Sequence, residues 1–427
     1  MDMRKVVLSR VTLGLLCLCQ GLVVMGIWLS VHERSFQTSR IQGELLRQGV
    51  RHPLVFDSQH STLSSGGEGY GTSPGNTSFR CRGRRHLWQA EDIFCLRRLS
   101  FLKEYKNPCF HQRTRNGRMN VLCLPYFHLL GVDKCGTTDL FDRILAHPEV
   151  AAHDGVSGKE MFYWSMHRYG CGIRAWNVDS KETVESYIYR MKKAKEVIRK
   201  TTTNGYHDHI FGDGTPLDFW DFRGWTNIPQ NEGLEEPEVL TPHLMRHLYR
   251  DPKFIILLRN PTERLYSDYI FMGDGLTPDT FHKHSTEALE LLETCFRNRT
   301  VRWCLFDRQL NLALPTRLHV GCYAVFLKEW LSVFHRQSFL ILRTEDYKMN
   351  IKEHLYKVFN FLNVTTLSDD AITEIAEHER KHVTERKKIA GPMRTDTRVL
   401  LDRFYSKFNK QLAEILRETK YLWKEEA

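Results

Sequence analysis

Residues 121–146 read VLCLPYFHLLGVDKCGTTDLFDRILA, and this stretch decides the fold. The nearly apolar run at 121–132 predicts a buried strand. Apolar residues at helical spacing predict a helix at 137–146. The junction at 131–136, which contains two glycines, must turn the chain from the strand into the helix.

This first junction has the composition of an anion cradle. Gly131 permits a tight turn, and backbone N–H groups at a helix start attract an anion. A lysine and two threonines supply further donors. An ordinary turn with a capping threonine is the alternative. The residues that we assign to a phosphate site here are Lys134, Cys135, Gly136, Thr137 and Thr138.

A nucleoside triphosphatase is the first rival, because Gly131 and Gly136 have the spacing of the glycines in a Walker A loop. That motif needs a lysine directly after its second glycine, and Thr137 stands there instead. The strand predicted at 254–258 ends in Arg259, where a magnesium-binding aspartate would be needed. The triphosphatase interpretation is therefore disfavoured.

A second strand-to-helix junction lies at 254–267, FIILLRNPTERLYS. Arg259 follows the strand, Pro261 is a normal first helical residue, and Ser267 falls about two turns into the helix. A guanidinium and a hydroxyl so placed can hold a second phosphate. Together the junctions predict a nucleotide with phosphates at two separate positions.

Strands and helices alternate along the rest of the chain. A third strand is predicted at 339–342, and further helices are predicted at 261–272, 323–334, 351–362 and 398–418. This order indicates an α/β fold with a mainly parallel central sheet flanked by helices. Ligands of such sheets bind beyond the carboxyl ends of the strands, which is where both junctions lie.

The N-terminus predicts a membrane anchor. Residues 11–31 carry no charge, and as a helix they would span roughly 30 Å, the thickness of the hydrocarbon core. Basic residues precede this segment, which places residues 1–10 in the cytosol. A cleaved signal peptide is the alternative, but no small-residue cleavage site follows.

The remainder of the chain is then luminal. A serine- and glycine-rich end to residues 32–79 predicts a flexible stem, which leaves 80–427 as the folded luminal domain. Three N-x-S/T triplets, at Asn76, Asn298 and Asn363, support this side of the membrane.

The cysteines fit an oxidising compartment. Of 11 cysteines, two fall in the anchor, so an odd number is luminal and at least one stays free or pairs with another chain. Cys295 and Cys304 form the best local pair. Four others are expected to pair among themselves in an order that stays open: Cys81, Cys95, Cys109 and Cys123.

The composition narrows the classes of partner. With 41% hydrophobic and 26% charged residues, the chain is neither wholly disordered, collagen-like nor a polytopic membrane protein. A net charge of +10 suits a polyanion. Nucleic acid is disfavoured by the luminal topology and by the lack of a recognisable nucleic-acid-binding module.

The two junctions, in this order, resemble the donor-binding signature of sulfotransferases that use 3′-phosphoadenosine 5′-phosphosulfate (PAPS). KCGTT at 134–138 resembles the family's 5′-phosphosulfate loop, and Arg259 with Ser267 resembles its 3′-phosphate pair. Similarity to glycosaminoglycan sulfotransferases continues in KEMFYW at 159–164, GCY at 321–323 and LLDRFY at 400–405.

This resemblance implies a P-loop-like sulfotransferase fold and sulfonate transfer from PAPS without a metal. The sequence has no C-x-x-C pair of the kind found in structural zinc sites. In the implied mechanism Lys134 stabilises charge on the leaving oxygen, and Glu160 is the general base for the acceptor hydroxyl. His153 with Asp154 is the rival base, and a solvated Lys159–Glu160 ion pair is the structural alternative.

Two departures from the family pattern affect the site. Gly214 replaces a lysine that often precedes the proline of a Thr-Pro segment by two residues. The basic turn that covers the donor corresponds either to Arg386, Lys387 and Lys388 or to residues 391–394. We assign Lys387 and Lys388 to the donor site.

Within the family, residues 132–150 are most similar to the branch that sulfates the 6-hydroxyl of N-acetylgalactosamine 4-sulfate. This implies a chondroitin or dermatan sulfate acceptor and a single-pass type II protein of the Golgi membrane. Another glycosaminoglycan hydroxyl, in heparan or on a uronic acid, and a non-enzymatic glycosaminoglycan-binding protein are the alternatives. A homodimer is a possible assembly of the chain. Four aromatic residues are candidates for sugar stacking or for core packing: Tyr163, Trp164, Trp220 and Trp225.

Overall fold

The computed structural model describes most of the predicted luminal domain. Its described ranges belong to one unit, Gly71–Ala427, and are 79–82, 91–113, 117–170, 181–273, 277–379 and 390–424. The predicted tail and anchor, nearly all of the stem, and Lys387 with Lys388 lie outside them. No helix within these ranges is long and apolar enough to cross a membrane.

A parallel sheet forms the centre of this unit. The strands are β1 (Cys109–Arg113), β2 (Met119–Cys123), β3 (Phe127–Gly131), β4 (Gly212–Asp213), β5 (Lys253–Leu258) and β6 (Phe339–Arg343). The last four form the sheet in the spatial order β4-β3-β5-β6, and every pair in it is parallel. The chain leaves β3 for β4 on one side, and β5 then pairs with the other side of β3. The carboxyl ends of β3 and β5 therefore flank a topological switch point, the usual ligand position in such sheets.

Helices cover the sheet. They are α1 (Thr137–Leu145), α2 (Val184–Arg190), α3 (Lys192–Lys200), α4 (Thr241–Leu248), α5 (Pro261–Met272), α6 (Pro278–Asn298), α7 (Val301–Phe306), α8 (Arg308–Ala313), α9 (Tyr323–Leu331), α10 (Thr344–Met349), α11 (Ile351–Leu362), α12 (Asp369–Glu377) and α13 (Thr395–Leu416). Five successive residues of β5 are buried. Because alternate side chains of a strand point to opposite faces, both faces of the sheet are covered, as predicted.

The strands and helices predicted for the luminal domain are confirmed with one exception. The helices at 261–272 and 351–362 have the predicted bounds, and the other predicted helices and the strands at 254–258 and 339–342 differ only at their ends. The single strand predicted at 121–132 is wrong, because the chain forms two strands there, β2 and β3. Pro125 lies between them and has no N–H group to donate to a ladder. β2 pairs antiparallel with β1 instead of joining the central sheet.

Three disulfides join neighbouring segments. Cys295–Cys304 is confirmed, and the other four cysteines pair as Cys81–Cys95 and Cys109–Cys123. The latter bridge joins directly opposite residues of β1 and β2. Within the described ranges Cys135 and Cys322 are free and buried.

Gly212 provides a test of the packing around β4. A Cβ atom at this position would lie 2.3 Å from the Phe127 ring. We expect Gly212→Ala to lower the free energy of unfolding by about 1–3 kcal/mol, because packed neighbours must move. Chemical denaturation measures the loss. In a Phe127→Leu background the same change should cost less, and an equal cost in both backgrounds would contradict the proposed contact.

Candidate functional site

The first junction turns sharply from β3 into α1. Lys134 and Gly136 both have positive φ, at 64° and 95°, and Gly136 adopts this conformation without the strain a Cβ atom would add. In the part of the chain that the structure describes, no side chain caps the first turn of α1. The capped-turn alternative is therefore wrong. The helix start offers its free amides and the positive end of its dipole to an anion.

Cys135 contributes to this junction through its backbone. Its carbonyl accepts a hydrogen bond from the Thr344 hydroxyl at 2.7 Å, and its Sγ lies 3.9 Å from the Tyr323 hydroxyl. Burial raises the pKa of the thiol to about 12, so the thiol stays protonated at neutral pH. The Cys135 side chain thus anchors the junction in the core and does not face a ligand.

Lys134 places a cation beside the junction. Its Nζ lies 3.5 Å from the ring centroid of Phe271, a half-exposed residue of α5. Burial lowers the pKa of Lys134, and the carboxylates of Asp268 and Asp133 oppose that shift. The ammonium group is therefore partly desolvated, which strengthens its attraction for an anion.

The second junction contacts the first directly. Arg259 Nη1 donates to the carbonyl of Lys134 at 3.2 Å, and Arg259 Nη2 lies 3.4 Å from Glu263 Oε2. The Tyr323 hydroxyl donates to the carbonyl of Arg259 at 2.9 Å. Tyr323 therefore touches both junctions, at Cys135 and at Arg259, and holds them together.

The start of α5 differs from that of α1. Asn260 Oδ1 accepts from the amides of Thr262 and Glu263 at 2.9 and 3.3 Å, so this helix is already capped. An anion at the second junction must be held by side chains. Arg259 and the buried Ser267 are of the types that suit a phosphate. The first junction thus offers uncapped helix amides to an anion, and the second offers a guanidinium and a hydroxyl.

Lys159 and Glu160 form an ion pair near the first junction. The Lys159 side chain is buried, and its Nζ also donates to the carbonyl of Gly214 at 3.1 Å. Glu160 keeps 17% of its side chain exposed. Burial raises the pKa of Glu160, Lys159 opposes this, and Asp133 adds to the rise. The pair is therefore no solvated surface pair, and Glu160 lies within electrostatic reach of Asp133 at the first junction.

Gly214 has a steric explanation. A Cβ atom there would lie 2.7 Å from the Phe141 ring and 3.3 Å from Lys159 Cβ, so position 214 has no room for a lysine. The Lys159 ammonium occupies the space next to the Gly214 carbonyl. The chain thus has a cation here, supplied from a different element.

The rival base is already engaged. His153 is buried, its Nδ1 accepts from the Gly155 amide at 3.1 Å, and its Nε2 lies 2.8 Å from the Gly212 carbonyl. Nε2 must therefore carry the proton and donate it to that carbonyl. Burial lowers the pKa of this histidine. Asp154 lies on the surface with Lys193. Both observations favour Glu160 over His153 with Asp154 as the candidate general base.

The four aromatic residues proposed for sugar stacking pack in the core, since each is buried. Trp220 donates from Nε1 to Asp133 Oδ2 at 2.7 Å, behind the first junction.

Arg394 lies in the segment 391–394 that competes with Lys387 and Lys388 as the basic turn over the donor. It pairs with Asp279 and Asp396. Its guanidinium is thus committed elsewhere.

Sequence reasoning missed Arg317 and Phe271. Arg317 contacts acidic residues at both junctions, and Phe271 lies under Lys134. Arg317 is remote from the junctions in sequence and belongs to no motif, so no signal in the sequence pointed to it. Phe271 lies one helical turn after Ser267, a spacing that places both on one face of α5.

Comparison with known proteins identifies the class. The sulfotransferase domain family matches residues 125–414, and the chain belongs to this family. Carbohydrate sulfotransferase 15 of Rattus norvegicus is 36% identical over 312 residues, which are 71% of this chain and 55% of that protein. The Homo sapiens protein of the same name matches with the same identity and coverage. The chain spans about half the length of these curated relatives.

A solved structure is also similar. It is a sulfotransferase from Alicyclobacillus acidocaldarius, with a TM-score of 0.45 and 19% identity, covering 70% of this chain and 97% of that one.

The burial of Cys135 is testable by chemical labelling. We expect the folded protein to react with N-ethylmaleimide at Cys135 about 100-fold more slowly than the urea-unfolded chain, because reaction requires an accessible thiolate. Mass spectrometry of the Cys135 peptide measures the two rates. Cys322, whose thiol is equally buried, should be protected in the same way. Rapid labelling of Cys135 in the folded protein would show that its side chain faces the site.

Proposed function

We propose that this protein transfers a sulfonate group from PAPS to a carbohydrate hydroxyl. The observation that carries the proposal is the 3.2 Å hydrogen bond from Arg259 to the Lys134 carbonyl, which makes one continuous site of the two junctions. A nucleotide with phosphates on its 3′ and 5′ sides matches such a site. Membership of the sulfotransferase family supports this donor.

When bound, PAPS supplies the sulfonate group, and the protein supplies charge and alignment. Lys134 and the uncapped amides of residues 136–138 suit its 5′ side. Arg259 and Ser267 suit its 3′ side. Lys387 and Lys388 lie outside the described residues, and their assignment to the donor rests on the resemblance to the family.

The residues have separate roles in transfer. The acceptor oxygen bonds to sulfur while the oxygen of the 5′-phosphate leaves, so negative charge grows on the leaving oxygen. Lys134 offsets that charge. Glu160 accepts the proton of the acceptor hydroxyl. Lys159 orients the Glu160 carboxylate through their ion pair.

The proposed acceptor is chondroitin or dermatan sulfate, sulfated at the 6-hydroxyl of N-acetylgalactosamine 4-sulfate. The resemblance of residues 132–150 to that branch supports this choice, as do relatives named carbohydrate sulfotransferase. The net charge of +10 suits a polyanion. Phe271 offers a half-exposed aromatic face beside Lys134, which the buried tryptophans do not.

The proposed location is the Golgi membrane, with residues 11–31 as anchor and the catalytic domain in the lumen. Three disulfides fit an oxidising compartment. Asn298 and Asn363 are exposed and therefore accessible to glycosylation.

Incubation of the full-length protein with radiolabelled PAPS and a panel of glycosaminoglycans tests the function. We expect label in chondroitin 4-sulfate and dermatan sulfate, as 4,6-disulfated units. Lys134→Ala should lower the rate about 100-fold or more while the circular dichroism spectrum is unchanged. Lys193→Ala, a change at an exposed lysine, is the matched control and should retain the wild-type rate.

The remaining outcomes separate the alternatives. Label in heparan sulfate alone would refute the acceptor. Tight binding of the polysaccharides with no label in any of them would favour a non-enzymatic binding protein.

The role of Glu160 predicts a pH dependence. Its pKa is raised, so the base is lost by protonation as pH falls through a value above the usual glutamate range. We expect kcat/KM to decline on that acidic side, and Glu160→Gln to lower the rate and to remove this limb. Glu329→Gln, at a carboxylate of similar exposure (14%) that pairs with Arg302, should keep the wild-type profile. An unchanged acidic limb in Glu160→Gln would exclude Glu160 as the base.

A further inference from the structure

We propose that Arg317 is a positioning residue that couples the two phosphate junctions, an inference that rests on the proposed donor. Arg317 immediately precedes a 3-10 helix, Leu318–Gly321, that leads into α9. Its guanidinium contacts Asp133, the residue before Lys134, and Asp268, the residue after Ser267. One side chain thus contacts the sequence neighbours of Lys134 and Ser267, the two residues that we assign to opposite ends of the donor.

The contact with Asp268 is the stronger of the two. Arg317 Nε donates to Asp268 Oδ2 at 2.8 Å, and Nη2 bonds to the other carboxylate oxygen, so the pair is bidentate. Arg264 Nη1 donates to the same carboxylate at 3.3 Å, and Arg264 Nη2 donates to the Arg317 carbonyl at 3.0 Å. Burial would raise the pKa of Asp268, but Arg317 and Arg264 outweigh it and hold the pKa below its usual value. Asp268 is thus an ionised, fixed anchor on α5.

The contact with Asp133 is longer and more adjustable. Arg317 Nη1 lies 3.8 Å from Asp133 Oδ1, while Trp220 holds the other carboxylate oxygen. The guanidinium also lies 5.6 Å from the Trp220 ring centroid. Trp220 and Arg317 therefore hold the Asp133 carboxylate from two sides. Because Asp133 directly precedes Lys134, the position of Arg317 also constrains the backbone that carries Lys134.

This cluster acts through geometry. Its two arginines face two aspartates, so the cluster offers no unpaired arginine to an anionic donor. Its guanidinium fork has a fixed shape, which lysine cannot reproduce. Arg317 therefore aligns the first junction with the second. A donor whose 5′ side is bound at the first junction then has its 3′-phosphate placed at the second.

The coupling can be measured without turnover. Isothermal titration gives the Kd values of 5′-AMP and of adenosine 3′,5′-bisphosphate. The Kd of 5′-AMP divided by the Kd of the bisphosphate is the ratio that reports how much the 3′-phosphate adds once the 5′ side is bound. We expect Arg317→Lys to lower that ratio about tenfold, within the usual range of coupling between sites. A general loss of folded protein would weaken both ligands equally and leave the ratio unchanged.

Arg302→Lys is the matched control. Arg302 is 28% exposed against 27% for Arg317, and it makes a similar double contact with Glu329 away from both junctions. Its ratio should equal that of the wild type. Hydrogen exchange of the ligand-free proteins gives a second readout, and the amides of 132–138 should exchange faster in Arg317→Lys only.

The outcomes are distinct. An unchanged ratio in Arg317→Lys, with a wild type that prefers the bisphosphate, would overturn the coupling and leave the proposed function standing. A wild type without that preference would overturn both. If Arg317→Lys fails to fold, Asp133→Asn breaks the weaker end of the bridge and should lower the ratio in the same direction, and an unchanged ratio there would overturn the coupling.

Discussion

The parallel pairing of β3 with β5 is the constraint on which the site depends. The last bond along this edge runs from the Val132 amide to the Leu257 carbonyl at 3.0 Å, so both strands end at the same level. Each then turns into a helix, and the Arg259 side chain can reach the Lys134 carbonyl. Neither junction alone would bind a doubly phosphorylated ligand. Their alignment follows from backbone hydrogen bonds in a buried sheet, which resist displacement.

Burial explains how a basic chain can form a specific site. Many of its cations are committed to carboxylates, as Arg264 and Arg317 are to Asp268. Such pairs are costly to break, since one removed partner leaves a desolvated charge. The net charge of +10 is therefore a property of the whole chain, and most of the cations behind it are not at the site. The proposed chemistry depends on few groups, of which Lys134 and Glu160 are both partly desolvated and both interact with Asp133.

Sequence patterns predicted the local features well because those features depend on neighbouring residues. The strand at 254–258, the helix that begins at Pro261 and the Cys295–Cys304 bridge are all short-range. The error at 121–132 had a local cause too, since Pro125 interrupts hydrogen bonding inside an otherwise apolar run. Apolar periodicity could not assign the aromatic residues, because a tryptophan that packs in the core and one that stacks on a sugar have the same local pattern.

The sequence by itself determined the two strand-to-helix junctions and the residue types that they carry, because strand and helix patterns, turn residues and spacing are local properties. Only the tertiary structure decided which groups meet there. In the structure His153 donates to a backbone carbonyl, and the Lys159 ammonium lies beside the Gly214 carbonyl. Arg317 contacts an aspartate next to each of the two junctions. The physical reason is that these contacts join segments far apart in sequence, and their partners are fixed by the packing of the sheet and helices around them.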